Sequence, residues 1–203
     1  MQEGGGPMPV TITLTIAKSL ASILGGLFFA DLISGLIHWF EDRYGNPKWP
    51  ILGQTIRANQ EHHFKPRAFL QGTFFTRNRE VVVVGTIFLA LFWGTATLNL
   101  FTGSAVFFGV FANEFHRAAH RSPKENGRLI TLLHKTGLAQ SFKHHAAHHR
   151  QGKDTHYCVI TNYTNPVLER IGLFPALERV IRTITGKVPR LDESVNPRYR
   201  KAA

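Results

Sequence analysis

The histidines of this chain are gathered in boxes: His38, the pair His62-His63, His116-x3-His120, and the run His144-His145-Ala-Ala-His148-His149. Neutral imidazole is a good ligand for iron and zinc, and residues at i, i+3 and i+4 share one helix face, so several boxes can converge on a metal centre. Asp31, Gly35, His38 and Asp42 form a stripe at steps of four, three and four residues. Asp31 falls within an apolar stretch, where a carboxylate needs a partner, and Asp42 is placed to orient a ligand histidine and fix its tautomer. His62 and His63 are adjacent, so on a helix they point about 100° apart. Two neighbouring metals accommodate that better than one. Glu61 can bridge, orient or cap. Asn113, His116 and His120 share a face, but Arg117 and Ala118 follow His116, so the water-activating glutamate of HExxH is missing and zinc proteolysis is disfavoured. His145, His148 and His149 repeat the i, i+3, i+4 pattern, with His144 adding a partner to His148. His134 and His156 belong to no box and read as ordinary hydrogen-bonded or surface residues.

The elements that must position these boxes are apolar blocks. Ser19 to Phe40 is long enough to cross a hydrocarbon core of about 30 Å at about 1.5 Å per residue, and Val10 to Ile16 extends it. A second block runs from Val81 to Leu98, breaks at Asn99 to Gly103 and resumes from Ser104 to Phe115, which reads as a helical hairpin with a short return arm. The expected fold class is all-α, an integral membrane helical protein with a di-metal histidine site at the cytoplasmic face. The expected organisation is a tail at residues 1–9, one domain over 10–190 with spans at about 10–40, 81–98 and 99–116, and a polar tail at 191–203. Residues 165–187 carry Leu168, Ile171, Leu177, Val180, Ile181 and Ile184 at helical spacing. They read as an amphipathic segment that covers the site or lies on the lipid interface.

Charge agrees with this topology. Of 24 Lys and Arg, Lys18 alone lies in or before the first apolar block, seven fall between Arg43 and Arg79, and sixteen follow from Arg117 onward. The positive-inside rule puts the histidine-bearing segments on the cytoplasmic side. The net charge of +11 is read as topogenic charge and anionic-lipid contact. No nucleic-acid recognition pattern is present. With Cys158 the single cysteine, an intramolecular disulfide, a four-cysteine cluster and a CxxCH haem site are excluded. Any electrons used come from a partner. No cleavable signal is evident, and a multi-pass protein of a bacterial inner membrane is the expected setting.

At HWFEDRYGNP, PILG followed by QEHH, NEFHRAAH, and HHAAHHR followed by YCVITNYTNPVLERIG, the chain resembles the lipid desaturase family that holds the plasmanylethanolamine desaturases, the CarF-type carotenogenesis regulators and the plastid phosphatidylglycerol desaturases. The resemblance runs over roughly Ala30 to Pro189. It implies a membrane-bound enzyme with two non-haem irons, whose ligands in this sequence are His38, His62, His63, His116, His120, His145, His148 and His149. Asp42 matches the HxxxD element, and Asp42 and Asp31 are the carboxylates expected to tune or orient the ligands. The implied reaction is O2-dependent removal of two hydrogens from a phospholipid alkyl or acyl chain, with electrons from a carrier of the ferredoxin or cytochrome b5 type. Gly137 stands where the plasmanyl pattern has a histidine, and the HAAHHR box is closer to the plastid form. Both the vinyl ether of a plasmalogen and an acyl double bond in phosphatidylglycerol therefore stand as products. The same histidines would also serve a lipid hydroxylase or a non-enzymatic membrane metal-binding protein.

Overall fold

The computed structural model describes residues 10–150 and 155–190, and these are all-helical, with no strand among them. The first helix, α1 (Val10–Arg43), is uninterrupted for 34 residues, about 51 Å at 1.5 Å per residue. Among the described residues it is the one helix long and apolar enough to cross a membrane, and 28% of its most apolar window is buried. Leu14, Leu20, Leu24, Phe29, Ile33 and Ile37 are exposed along it. A core helix of a soluble protein would cover such residues.

After α1 come α2 (Gly53–His62), a 3-10 turn at Pro66–Leu70, α3 (Phe74–Gly94), α4 (Leu100–Val110) and α5 (Ala112–Ala119). The expected hairpin is α3 and α4, but its turn lies earlier than expected. Asn99 begins α4 instead of breaking the block: its side chain accepts from the Phe101 and Thr102 amides, and Thr102 returns the bond in a capping box. Residues 100–103 therefore belong to the return helix. The expected spans at 81–98 and 99–116 also change in extent. The outgoing arm has 21 residues with Arg77, Arg79 and Glu80 near its start, and the return arm has 11 before a break at Phe111. The expected tails at 1–9 and 191–203 lie outside the described residues.

Helix α1 packs along α4. Gly26 allows the approach, because a Cβ there would lie 2.6 Å from the Phe101 carbonyl oxygen. The remaining helices are α6 (Pro123–Thr136), α7 (Phe142–His148), α8 (Thr164–Arg170) and α9 (Leu173–Thr185). In the last two, Leu168, Phe174, Leu177 and Ile181 pack around Trp39 and Tyr157. Ile171, Val180 and Ile184 of the same amphipathic stretch face outward.

The extended segment 157–161 lies against the polar stripe of α1. Gly35 gives it room, since a Cβ there would lie 3.1 Å from the Cys158 amide. Asp31 accepts from the Ile160 amide at 2.8 Å and from the Thr161 amide and hydroxyl at 3.1 and 2.6 Å. On the other side Gln140 and Asn165 bond Cys158 and Ile160. Backbone groups that would cost about 1–3 kcal/mol each if buried unpaired are thus satisfied without a sheet.

Candidate metal centre

Four helices end at the site. The last turns of α1 bring His38 and Asp42, α2 ends on His62 with His63 as its cap, α5 brings His116 with His120 as its cap, and α7 brings His145 and His148 with His149 as its cap. Serine starts α7, with the Ser141 hydroxyl accepting from the His144 amide at 3.3 Å. A histidine at a helix end has its ring near the last exposed carbonyls, where a partner for the second ring nitrogen is at hand.

The donors sort into two groups, His62, His116, His120, His145 and His149 in one, and His38, Asp42, His63 and His148 in the other, with the donor atoms of each group within 4.8 Å of one another. All eight expected histidines and Asp42 take part. The i, i+4 pairs stay together: His38 with Asp42, His116 with His120, His145 with His149. Adjacent residues separate, so His62 and His63 serve different groups, and so do His148 and His149. That division matches the divergence expected for neighbours on a helix.

In the five-histidine group His145 Nε2 lies 2.9 Å from His116 Nε2, 3.0 Å from His120 Nε2 and 2.9 Å from His149 Nε2, and the His116 and His120 Nε2 atoms are 3.1 Å apart. Ligands about 2.1 Å from a shared ion lie about 3.0 Å apart at right angles and about 3.4 Å apart at tetrahedral angles. The spacing and the number of nitrogens both fit a five- or six-coordinate ion. In the other group Asp42 Oδ2 lies 3.1 Å from His63 Nε2 and 3.4 Å from the Nε2 atoms of His38 and His148. Asn59 donates to Asp42 Oδ1 at 3.3 Å.

Backbone carbonyls hold the outer nitrogens. His38 Nδ1 donates to Tyr157 at 3.0 Å, His148 Nδ1 to Thr155 at 2.8 Å, and His62 Nδ1 to Asn59. Among the described residues the buried Nε2 atoms of His38, His62 and His148 have no well-formed hydrogen bond, the nearest approach being the 3.4 Å from His38 and His148 to Asp42 Oδ2. Such lone pairs are costly in a dry site unless a cation takes them. Burial pushes the His62 and His145 imidazoles well below their ordinary 6.5 and His120 down to about 4, with neighbouring histidines adding to the effect. The neutral, metal-binding form therefore prevails at pH 7.

Asp31 lies outside both groups and spends its carboxylate on residues 160–161. Asn113 donates to the Arg77 carbonyl, and His144 sits against Asn165 and His156. Glu61 is exposed. No ninth histidine joins at Gly137, whose φ of +76 ends α6 and whose Cβ would lie 3.1 Å from the Tyr163 ring. Sequence reading missed Asn59, Thr155 and Phe69, whose ring centroid is 4.3 Å from that of His116. The nearest signal for Asn59 was its place three residues before His62.

A cavity of about 360 Å³ runs between α1, α3 and α4, with walls that include Ile33, Ile37, Val84, Phe88 and Val106, and it reaches His38 of one group and His116 of the other. A mostly apolar channel that meets donors from both groups is what an enzyme acting on a hydrocarbon chain requires. The chain belongs to the lipid desaturase family, whose domain profile matches residues 27–192, and is accordingly an oxidoreductase, a lipid desaturase. It is 31% identical over 191 residues to a probable fatty acid desaturase of Acanthamoeba polyphaga mimivirus, covering 89% of this chain and 90% of the relative. It is 30% identical over 183 residues to the plasmanylethanolamine desaturase of Myxococcus xanthus and 32% identical over 168 residues to the chloroplastic fatty acid desaturase 4 of Arabidopsis thaliana. These matches cover 86% and 81% of this chain, and 64% and 52% of the relatives. No solved structure matches.

Proposed function

We propose that this chain is an integral-membrane di-iron desaturase that takes two hydrogens from adjacent carbons of a phospholipid alkyl or acyl chain, using O2 and electrons from an external carrier protein. The observation that carries the reading is the meeting of one apolar cavity with both ligand groups at His38 and His116. Two irons, when bound, supply the activation of O2 and the removal of hydrogen from an unactivated carbon. His62, His116, His120, His145 and His149 would hold one, and His38, Asp42, His63 and His148 the other.

The chain's own share of the work is positional. Tyr157, Thr155 and Asn59 carbonyls fix three imidazole rings, Asn59 holds the Asp42 carboxylate, and Phe69 covers His116 from the side of the 3-10 turn. Ile33, Ile37, Val84 and Phe88 hold a tail straight beside the donors and keep bulk water out. The exposed apolar faces of α1, α3 and α4 support residence in a bilayer, with α1 spanning and the α3–α4 hairpin entering beside it. The distribution of Lys and Arg favours the cytoplasmic side for the site, in keeping with a bacterial inner membrane, and supplies a basic surface for an acidic electron carrier.

Two product types stand, each with a relative behind it: the vinyl ether that the name of the Myxococcus relative suggests, and an acyl double bond, as for the Arabidopsis relative. Lipid mass spectrometry of a host expressing this chain, set against one expressing His148→Ala, tests the proposal. A lipid lighter by two hydrogens that appears with the wild type alone, together with about two irons per chain, supports it, and acid lability of that lipid selects the vinyl ether. Added oxygen in the product makes the protein a hydroxylase. An unchanged lipidome with zinc bound overturns the proposal.

A further inference from the structure

Outside the apolar cavity, a row of aromatic rings runs from the four-donor group to the surface. The Tyr157 ring lies 5.2 Å from the His148 ring and 6.1 Å from the His38 ring, centroid to centroid. From Tyr157 the row continues to Phe174 at 4.8 Å, Trp39 at 5.8 Å, Tyr44 at 5.5 Å, Phe40 at 6.2 Å and Trp49 at 6.1 Å. Every step falls within the range of about 4.5–7 Å at which aromatic rings pack directly. Tyr157, Phe174 and Trp39 are buried, whereas Trp49 is 39% exposed, and Lys48 and Pro50 beside it are exposed too. None of these rings lines the cavity, so a lipid tail and the row reach the site by separate routes. The Trp39 indole donates from Nε1 to Glu178 Oε1 at 3.3 Å, and Arg43 Nε holds the same oxygen at 2.8 Å.

Burial of apolar surface accounts for the inner rings but not for an unbroken row that starts against two ligand histidines and ends in water. Tryptophan and tyrosine rings can give an electron to a strong oxidant, and direct packing lets each ring be refilled by the next. A site that activates O2 with no tail seated would otherwise turn that oxidising power on its own ligands, and excluding such side reactions falls to the protein. Resting on the desaturase reading, we propose that the row is a protective relay, which carries oxidising equivalents from the ligand groups to the surface when the cavity holds no tail. Trp39 is its inner stop and Trp49 its outlet. Each equivalent draws one electron from Trp39 through Phe174 and Tyr157. The indole keeps its N–H, and the Glu178 carboxylate offsets the passing positive charge on the ring. Trp49 refills Trp39 through Phe40 and Tyr44, and a water-soluble thiol refills Trp49. Two electrons and two protons from two thiols, which couple to a disulfide, thus replace the two hydrogens of the absent tail, and O2 still leaves as two waters.

The relay can be read without a product. The purified, iron-loaded full chain is reduced anaerobically, freed of reductant, mixed with O2 in the absence of lipid and thiol, and frozen within milliseconds for electron paramagnetic resonance. The wild type is expected to show an organic radical whose lines narrow when its tryptophans are ring-deuterated, and peptide mass spectrometry is expected to find oxidation at Trp49. Seated phospholipid is expected to suppress the radical, and added thiol to quench it. Trp49→Phe alters an exposed ring and is expected to keep the iron content, to slow quenching by thiol severalfold and to move oxidation inward to Trp39. Trp39→Phe is expected to lose the tryptophan radical and to shift oxidation to Tyr157 and His148. Consumption of O2 by the wild type without a tryptophan radical overturns the relay, and so does quenching by thiol that is unchanged in Trp49→Phe or oxidation at Trp49 that survives in Trp39→Phe. Those results leave the desaturase reading in place, whereas a wild type that takes up no iron and consumes no O2 overturns both.

Discussion

Asp42 shows how much a single carboxylate can be asked to do. Its Oδ2 faces the Nε2 atoms of three histidines and its Oδ1 is held by Asn59. Asp42→Asn keeps the shape and removes the charge, and it is expected to lower metal affinity of that group by at least about tenfold, read as loss of one of two ions on dialysis. His145→Ala removes the nitrogen that lies within 3.0 Å of three others, and the expected result is a folded protein without desaturase activity and with the other ion lost. The histidines were legible because i, i+4 spacing is a property of sequence alone. The division between the groups was legible at His62 and His63, where adjacency forces the rings apart, but not at His148 and His149. There it depends on where α7 ends against residue 155. Asn59 and the Thr155 carbonyl carry no pattern of their own, so only the folded backbone identifies them.

Among the elements, the segment 157–161 is the one most dependent on a distant residue. Replacing Asp31 with Ala leaves the buried amides of Ile160 and Thr161 without their acceptor, at an expected cost of about 2–4 kcal/mol, measured as a lowered melting temperature in detergent while the folded fraction still binds its metals. Sequence reading placed a partner for Asp31 as a necessity but leaned towards the metal ligands, because the stripe Asp31, His38, Asp42 shares a face. The partner is backbone more than a hundred residues away. Arg67 and Glu125 make a smaller link, joining the 3-10 turn that carries Phe69 to the start of α6 at 2.7 Å. The Arg67 hydrogen bond, followed by that of the Ser122 backbone, holds the Glu125 carboxyl down to about 2 from its ordinary 4.5. The sign follows: this contribution is fully present above pH 4.5 and is lost as pH falls through 2. Because Arg67 is 68% exposed, the effect is small. Between pH 5 and 2 the melting temperature of Glu125→Gln is expected to fall less than that of the wild type.

At the scale of the molecule, the apolar blocks gave away the hairpin and the long first helix, whereas the turn position depended on the Asn99 capping box and the cavity on the packing of α1, α3 and α4. Gly109 lines that cavity with open space where a Cβ would go. Gly109→Phe is expected to lower kcat/KM for the longest tails about tenfold and to spare short ones, which a ladder of chain lengths would show; uniform loss would place the tail elsewhere. The assignment of neighbours in the chain to different ligand groups has a thermodynamic corollary. His62 and His63 share a peptide bond, as do His148 and His149, so an ion that fixes one ring of each pair also fixes the backbone from which its neighbour projects. The ordering entropy for the second ion is thereby largely spent on the first. If each group takes an ion as proposed, uptake by the wild type is expected to be cooperative: given one equivalent of metal it divides mainly into full and empty molecules, whereas a variant with one group disabled stops at a single, more weakly held ion.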